Sequence, residues 1–332
     1  MSSKKNTVLI SGGAGFIGSH TVDLFLSKGF KVKCIDNLAG GNENNISHLK
    51  KNKNFFFEKA DILNLSKLKS FLNDCNYVVH FAGIGDIVPS IENPKKYVEN
   101  NVNGTLNLIQ NLNLKKIKKF TYAASSSCYG IAKTPTKETH PIQTLYPYAL
   151  SKYMGEQLAL HWGKVYKLKV NSIRIFNAYG TRSRTTGAYG AVFGVFLKQL
   201  LENKPLTVVG DGTQKRDFLY VTDVANAFYK STISAKKGEI WNIGSGNPQS
   251  INKLVKLLKP IGIINLPKRP GEPDVTFANI NKIKKDLKWK PKISFNDGVQ
   301  KVLNDINYWK KAPLWNKNSI KKATKTWFEY MN

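Results

Sequence analysis

The chain has 332 residues, enough for two domains at roughly 100–200 residues each and for a full apolar core without disulfides. Hydrophobic residues make up 41% and charged ones 22%, which excludes global disorder, and no apolar run approaches the roughly 18 residues that span a bilayer. Lys and Arg total 51 against 22 acidic residues, a net charge of +29, but the lysines scatter over helix faces and loops without the aromatic interleaving of a nucleic-acid surface. Neither nucleic acid nor a membrane is therefore an expected partner. The three cysteines, Cys34, Cys75 and Cys128, have no metal or redox spacing, and the N-terminus has no signal-like apolar core. Together these point to a cytoplasmic protein without a bound metal.

Short apolar runs alternate with amphipathic stretches through the first half, the pattern of parallel strands joined by crossover helices. Strands are expected at 7–11, 31–36, 55–59, 77–82, 119–124 and 170–176, and helices at 17–28, 66–73, 103–111 and 149–165. The strand runs are nearly all apolar, as in a sheet covered by helices on both faces. From Asn177 the rhythm changes to a loop rich in Gly, Arg and Thr at 180–190. After it come an apolar helix at 192–201, a strand at 207–209, a Gly210-Asp211-Gly212 turn, a helix after 220–223, a strand at 241–243, a Pro-rich stretch at 267–273 and a helical tail. The fold class is thus α/β: a doubly wound parallel sheet of Rossmann type with a smaller α/β substrate-binding lobe. Residues 1–176 are expected to form the nucleotide-binding domain, with 213–240 packing back onto it. Residues 177–332 would form mainly the substrate lobe and the tail.

The first strand runs into Gly12-Gly13-Ala14-Gly15-Phe16-Ile17-Gly18, and a helix follows. Glycines at this spacing permit a tight turn, close approach of the backbone to a pyrophosphate, and contact of helix with strand, while the helix N-terminus offers free N–H groups. Asp36, followed by Asn37, closes the second strand, where a carboxylate binds ribose hydroxyls and repels a 2′-phosphate, favouring NAD over NADP. Asp61 and Ile62 after the third strand could flank the adenine. Phe81, Ala82 and Gly83 after the fourth would let the dinucleotide approach, and His80, within that strand, reads as structural. The fifth strand ends in Ser125-Ser126-Ser127-Cys128-Tyr129-Gly130, and Tyr148-Ala149-Leu150-Ser151-Lys152 puts a phenol and an ammonium on one helix face. A phenol with a pKa of roughly 10 is a weak base at neutral pH; a nearby ammonium and a nicotinamide charge both favour the phenolate. A serine hydroxyl can steady the proton between substrate and phenolate.

This combination resembles the extended short-chain dehydrogenase/reductase superfamily over nearly the whole chain. Within it the chain is most similar to nucleotide-sugar epimerases and dehydratases, with UDP-hexose 4-epimerases the nearest pattern. The segments 100–105, 174–180, 210–218, 241–246 and Arg269-Pro270-Gly271-Glu272 match as well. The resemblance implies that Ser125, Tyr148 and Lys152 are catalytic, and that Ser126 and Ser127 line the site. It also implies that Asn177, Arg216 and Arg269, with Glu272 beside them, hold a nucleotide-diphosphate sugar, and that Asn100 lies against NAD. A homodimer through helices 103–111 and 149–165 is implied too.

In family dehydratases and decarboxylases an acidic residue follows the Ser/Thr before the Tyr-Gly pair. Here Ser126, Ser127 and Cys128 stand there, which favours epimerisation at C4 through a 4-keto sugar over the alternatives, a 4,6-dehydratase or a C4 oxidoreductase. The chain departs from the best-studied 4-epimerases at Ile84-Gly85-Asp86, where they carry a lysine. The loop 181–190, with Arg182 and Arg184, would border the sugar. The tail 312–332, with Trp315 and Trp327, extends past the usual core and is expected to pack on the substrate lobe or a second subunit. The nucleotide and the hexose stay open.

Overall fold

A computed structural model describes residues 5–186 and 192–331. Seven strands form one parallel sheet: β1 (Thr7–Ser11), β2 (Lys31–Asp36), β3 (Phe55–Lys59), β4 (Tyr77–His80), β5 (Lys119–Ser125), β6 (Val170–Ile175) and β7 (Ile240–Ile243). Their order is β7-β6-β5-β4-β1-β2-β3, so the direction of winding reverses between β1 and β4. In open α/β sheets a ligand crevice opens at such a switch point, outside the carboxyl ends of the strands. β1 is buried at every position, whereas Phe55–Phe57 of edge strand β3 are only half-covered, with Lys31 Nζ lying 4.4 Å from the Phe56 ring.

The expected strand 77–82 stops at His80. Phe81 and Ala82 both donate backbone N–H to Ser11 O, at 3.0 and 3.1 Å, which peels the chain across the end of β1. The segment 87–98, assigned to no element from sequence, holds two short helices, Ile87–Glu92 and Pro94–Val98. Pro89 and Pro94 sit in their first turns, where a missing N–H costs nothing. A π-helical turn, Glu99–Asn103, then leads into the helix Gly104–Gln110. The helix expected at 66–73 is a 3-10 turn followed by four α-helical residues.

The second lobe has its own core, built around Tyr179, Phe193, Phe196, Leu206, Phe218, Leu254 and Trp309. Phe16 and Ile17 pack against it, so the lobe rests on the start of the helix Phe16–Ser27. The helix Val221–Ile233 turns back to pack along that same helix, and β7 closes the central sheet. The tail forms helices Lys317–Ala323 and Lys325–Tyr330, and the second of these lies against Ile87–Glu92. Among the described residues no helix is long and apolar enough to cross a membrane.

Candidate functional site

The glycine turn after β1 is shaped by close backbone contacts. Gly12 has φ +71° and donates its N–H to Ile35 O at 2.8 Å; a Cβ there would meet Ala82 N at 2.7 Å, and one at Gly18 would run into Gly12 O. The helix Phe16–Ser27 opens at Gly15 without a side-chain cap, so its first-turn N–H groups are available to a pyrophosphate. Asp36 is buried, accepting from Ala14 N at 3.0 Å and Leu38 N at 2.8 Å; burial raises its carboxyl against those hydrogen bonds. The bare glycines, the uncapped helix and the carboxylate at the end of β2 together fit a dinucleotide.

The other residues named for this groove divide. Asn37 and Asp61 meet at its rim, Nδ2 to Oδ2 at 2.8 Å, whereas Ile62 turns its side chain into the core over Gly104. Phe81 points its ring away onto Phe228 at 4.5 Å, leaving backbone at the groove with Ala82 and Gly83. Asn100 is not brought to the site: its amide donates to Lys96 O at 2.9 Å, because the π-helical turn shifts the register by one residue. Asn101 takes that place. Its Oδ1 accepts from Ile84 N at 2.9 Å, and its Nδ2 donates to Ile84 O and to Ser151 Oγ at 3.0 and 2.9 Å, tying the Gly83–Gly85 turn to the helix Pro147–Val165. His80 is satisfied on both ring nitrogens, by Ser11 Oγ at 2.6 Å and Thr105 Oγ1 at 2.9 Å, and burial pushes it down to about 3.

Pro147 at the first position of the long helix fixes its start and sets Tyr148 in the first turn, one turn ahead of Lys152. Ser125, at the end of β5, stands close enough to the Tyr148 hydroxyl to favour its phenolate, and a Cβ at Gly85 would lie 3.9 Å from the Tyr148 ring. Lys152 Nζ sits 4.6 Å from the centre of the Tyr122 ring and close below Gly83, and burial pushes it down to about 8. The expected lowering of the phenol is not what the protein alone provides. Burial raises Tyr148, Asp86 adds to the rise, and the Ser125 hydrogen bond opposes it.

Glu156, one further turn along, was missed from sequence although it continues the Tyr148–Lys152 spacing. Its buried carboxylate binds Arg174 Nη2 at 2.6 Å and Ser172 Oγ at 2.6 Å, and its charge supports the Lys152 ammonium.

Ser126 and Ser127 form a 3-10 turn after β5, with Ser127 N donating to Ser125 Oγ at 3.2 Å. Asn177 Oδ1 accepts from Thr276 Oγ1 at 2.6 Å. Arg216 and Arg269 converge on one carboxylate, Nη2 of the first at 2.8 Å from Glu272 Oε1 and Nε of the second at 3.3 Å from Oε2. Glu272 therefore orients two guanidinium forks suited to diphosphate oxygens. The loop after Gly180 is fastened at both sides of the groove, by Arg182 to Asp23 at 2.7 Å and by Arg184 to Asp86 at 2.8 Å. Its continuation at 187–190 lies outside the described residues.

Comparison with known proteins agrees with this geometry. The sequence model of the NAD dependent epimerase/dehydratase family matches residues 8–244. A UDP-glucuronate 4-epimerase of Thermodesulfobacterium geofontis is 34% identical over 332 aligned positions, covering 94% of this chain and 98% of that protein. The crystal structure of UDP-glucuronic acid 4-epimerase from Bacillus cereus, in complex with UDP-glucuronic acid and NAD, superposes with TM-score 0.85 at 33% identity, covering 91% of this chain and 99% of that one. A UDP-N-acetylglucosamine 4-epimerase from Methanobrevibacter ruminantium gives TM-score 0.84 at 30% identity, with coverages of 91% and 99%.

Proposed function

Since the chain belongs to the NAD-dependent epimerase/dehydratase family and NAD is its cofactor, we propose that it inverts C4 of a UDP-hexose through a transient 4-keto sugar. The observation that carries this reading is the convergence of Ser125, Tyr148 and Lys152 beside the Gly83–Gly85 turn, with two arginines across the groove. NAD, when bound on the glycine turn, supplies a hydride acceptor and donor and a positive charge near the phenol. Tyr148 takes the C4 hydroxyl proton and later returns it, Ser125 holds the substrate oxygen and the phenol in one hydrogen-bonded line, and Lys152 stabilises the phenolate. Arg216 and Arg269 grip the diphosphate while the keto sugar turns over between the two hydride transfers.

A dehydratase needs a further acid near C5 and C6. The turn after β5 offers hydroxyls and the Cys128 thiol, which burial pushes up to about 12. The carboxylate that does stand near Tyr148, Asp86, is engaged in an ion pair with Arg184. NMR on incubations with UDP-, GDP- and dTDP-sugars separates the reactions: a 4-epimer without net NADH supports this reading, and loss of water or a persistent keto product overturns it.

Asp36→Ala removes the acceptor for Ala14 and Leu38 and the ribose partner. It is expected to weaken NAD roughly 10–100-fold and to narrow the preference over NADP, measured by titrating both nucleotides.

The protein is further proposed to be a cytoplasmic homodimer. Free thiols at Cys34, Cys75 and Cys128 fit a reducing compartment. Leu150 and Met154, 44% and 38% exposed, form an apolar stripe on the outer face of the catalytic helix, which a second copy would cover. Sedimentation should find wild type dimeric and Leu150→Glu/Met154→Glu monomeric.

A further inference from the structure

Trp327 of the tail meets both the 267–273 loop and Tyr146, the residue before the helix Pro147–Val165. Trp327, only 3% exposed, donates its indole N–H to Pro270 O at 2.7 Å. Its ring lies 5.8 Å from the Arg269 guanidinium carbon and 6.0 Å from the Tyr146 ring. Tyr146 stacks parallel to Tyr148, with centroids 6.3 Å apart and planes within 5°, and Ser127 stands near its hydroxyl. Two neighbours lock the tail helix in place. Thr326 donates to Glu92 Oε1 at 3.2 Å, and Gly271, at φ +67°, is approached so closely that a Cβ would lie 3.1 Å from Met331 Cε.

We propose that Trp327 is a positioning residue for the nucleotide-sugar site, holding both Arg269 and Tyr146, the latter stacked on Tyr148. The proposal rests on the assignment of Arg269 to the diphosphate. Its physical basis is pre-organisation. Arg269 is a long side chain on a loop broken by Pro267, Pro270 and Pro273, and fixing such a group before the ligand arrives removes an ordering cost from binding. A guanidinium over an aromatic face is also attracted to it, and the indole N–H bond to Pro270 fixes the backbone that carries the arginine. The indole also packs against Tyr146, which stacks on Tyr148. The tail thus belongs to the substrate site.

The test compares wild type, Trp327→Ala, Trp327→Phe, Arg269→Gln and the Trp327→Ala/Arg269→Gln double variant, with UDP as the calorimetric probe and NMR for turnover. Trp327→Ala should weaken UDP and raise KM roughly 10–100-fold while kcat stays within about threefold and NAD content is unchanged. Trp327→Phe keeps a ring but loses the N–H, and should cost about threefold. The double variant should bind UDP no worse than Arg269→Gln, because the indole acts through the arginine. Unaltered UDP affinity in folded Trp327→Ala, or additive losses in the double variant, would overturn the proposal. A purely structural tail would lower the melting temperature and leave UDP affinity alone. If Trp327→Ala does not fold, Trp327→Phe decides, since wild-type affinity in that variant also overturns the proposal. Failure of wild type to bind UDP would instead sink the functional reading beneath it.

Discussion

Tyr148→Phe should lose roughly 10³–10⁴ of kcat while binding NAD and UDP as wild type does, because it deletes the group proposed to exchange the C4 proton. The ring and its packing survive the change: the parallel contact with Tyr146 and the edge contact with Tyr97, at 6.5 Å, need no hydroxyl. What disappears is the oxygen beside which Ser125 stands, one helical turn from Lys152. In the protein alone burial makes the phenol a weaker acid than usual, so a phenolate forms there only with positive charge nearby. A reaction that ran at near wild-type rate without this oxygen would need another base, and Asp86, nearby, is already engaged by Arg184. Single-turnover measurements of the keto sugar, with UDP titration in parallel, separate lost chemistry from lost binding.

Local spacing made much of this site readable. Three glycines between a strand and a helix, a carboxylate at the next strand end, and Tyr148 four residues before Lys152 each state a geometry that holds wherever those elements form. Residues whose role depends on a change of register were not readable. Asn100 and Asn101 look equivalent in sequence, and only the π-helical turn decides which faces the Gly83–Gly85 turn. Ile62 and Phe81 were placed at the groove by position, but apolar side chains there gain more by burial on Gly104 and Phe228. Glu272 reads as a substrate ligand beside Arg269 until the fold brings Arg216 to its other oxygen. The pairing of Trp327 with Tyr146 joins segments far apart in sequence, and no periodicity in either announces it. Two helices between 87 and 98, with prolines in their first turns, went unassigned.

Glu156→Ala is expected to destabilise the fold by about 3–5 kcal/mol, since it leaves the Arg174 charge buried without its partner. That is a large share of the roughly 5–15 kcal/mol that holds a domain together, so the melting temperature should fall by many degrees. Arg174 is 3% exposed and enclosed by β6, the helix Pro147–Val165 and Tyr129, whose hydroxyl accepts from Nη1 at 2.8 Å, so no bulk solvent screens its charge. Ser172 would lose its acceptor as well. Replacing both charges, as Glu156→Leu/Arg174→Met, should recover most of the lost stability, because a buried pair gains little over apolar side chains of similar size once desolvation is counted. Activity should not follow stability in that double variant. Glu156 supplies the negative charge that supports the Lys152 ammonium, and without it a lysine already lowered to about 8 falls further. The phenolate then has a weaker partner at neutral pH. A stable but slow Glu156→Leu/Arg174→Met, with kcat depressed about tenfold or more in the NMR assay, would place the ion pair in the chemistry as well as in the core. A stable variant with wild-type kcat would confine it to the core.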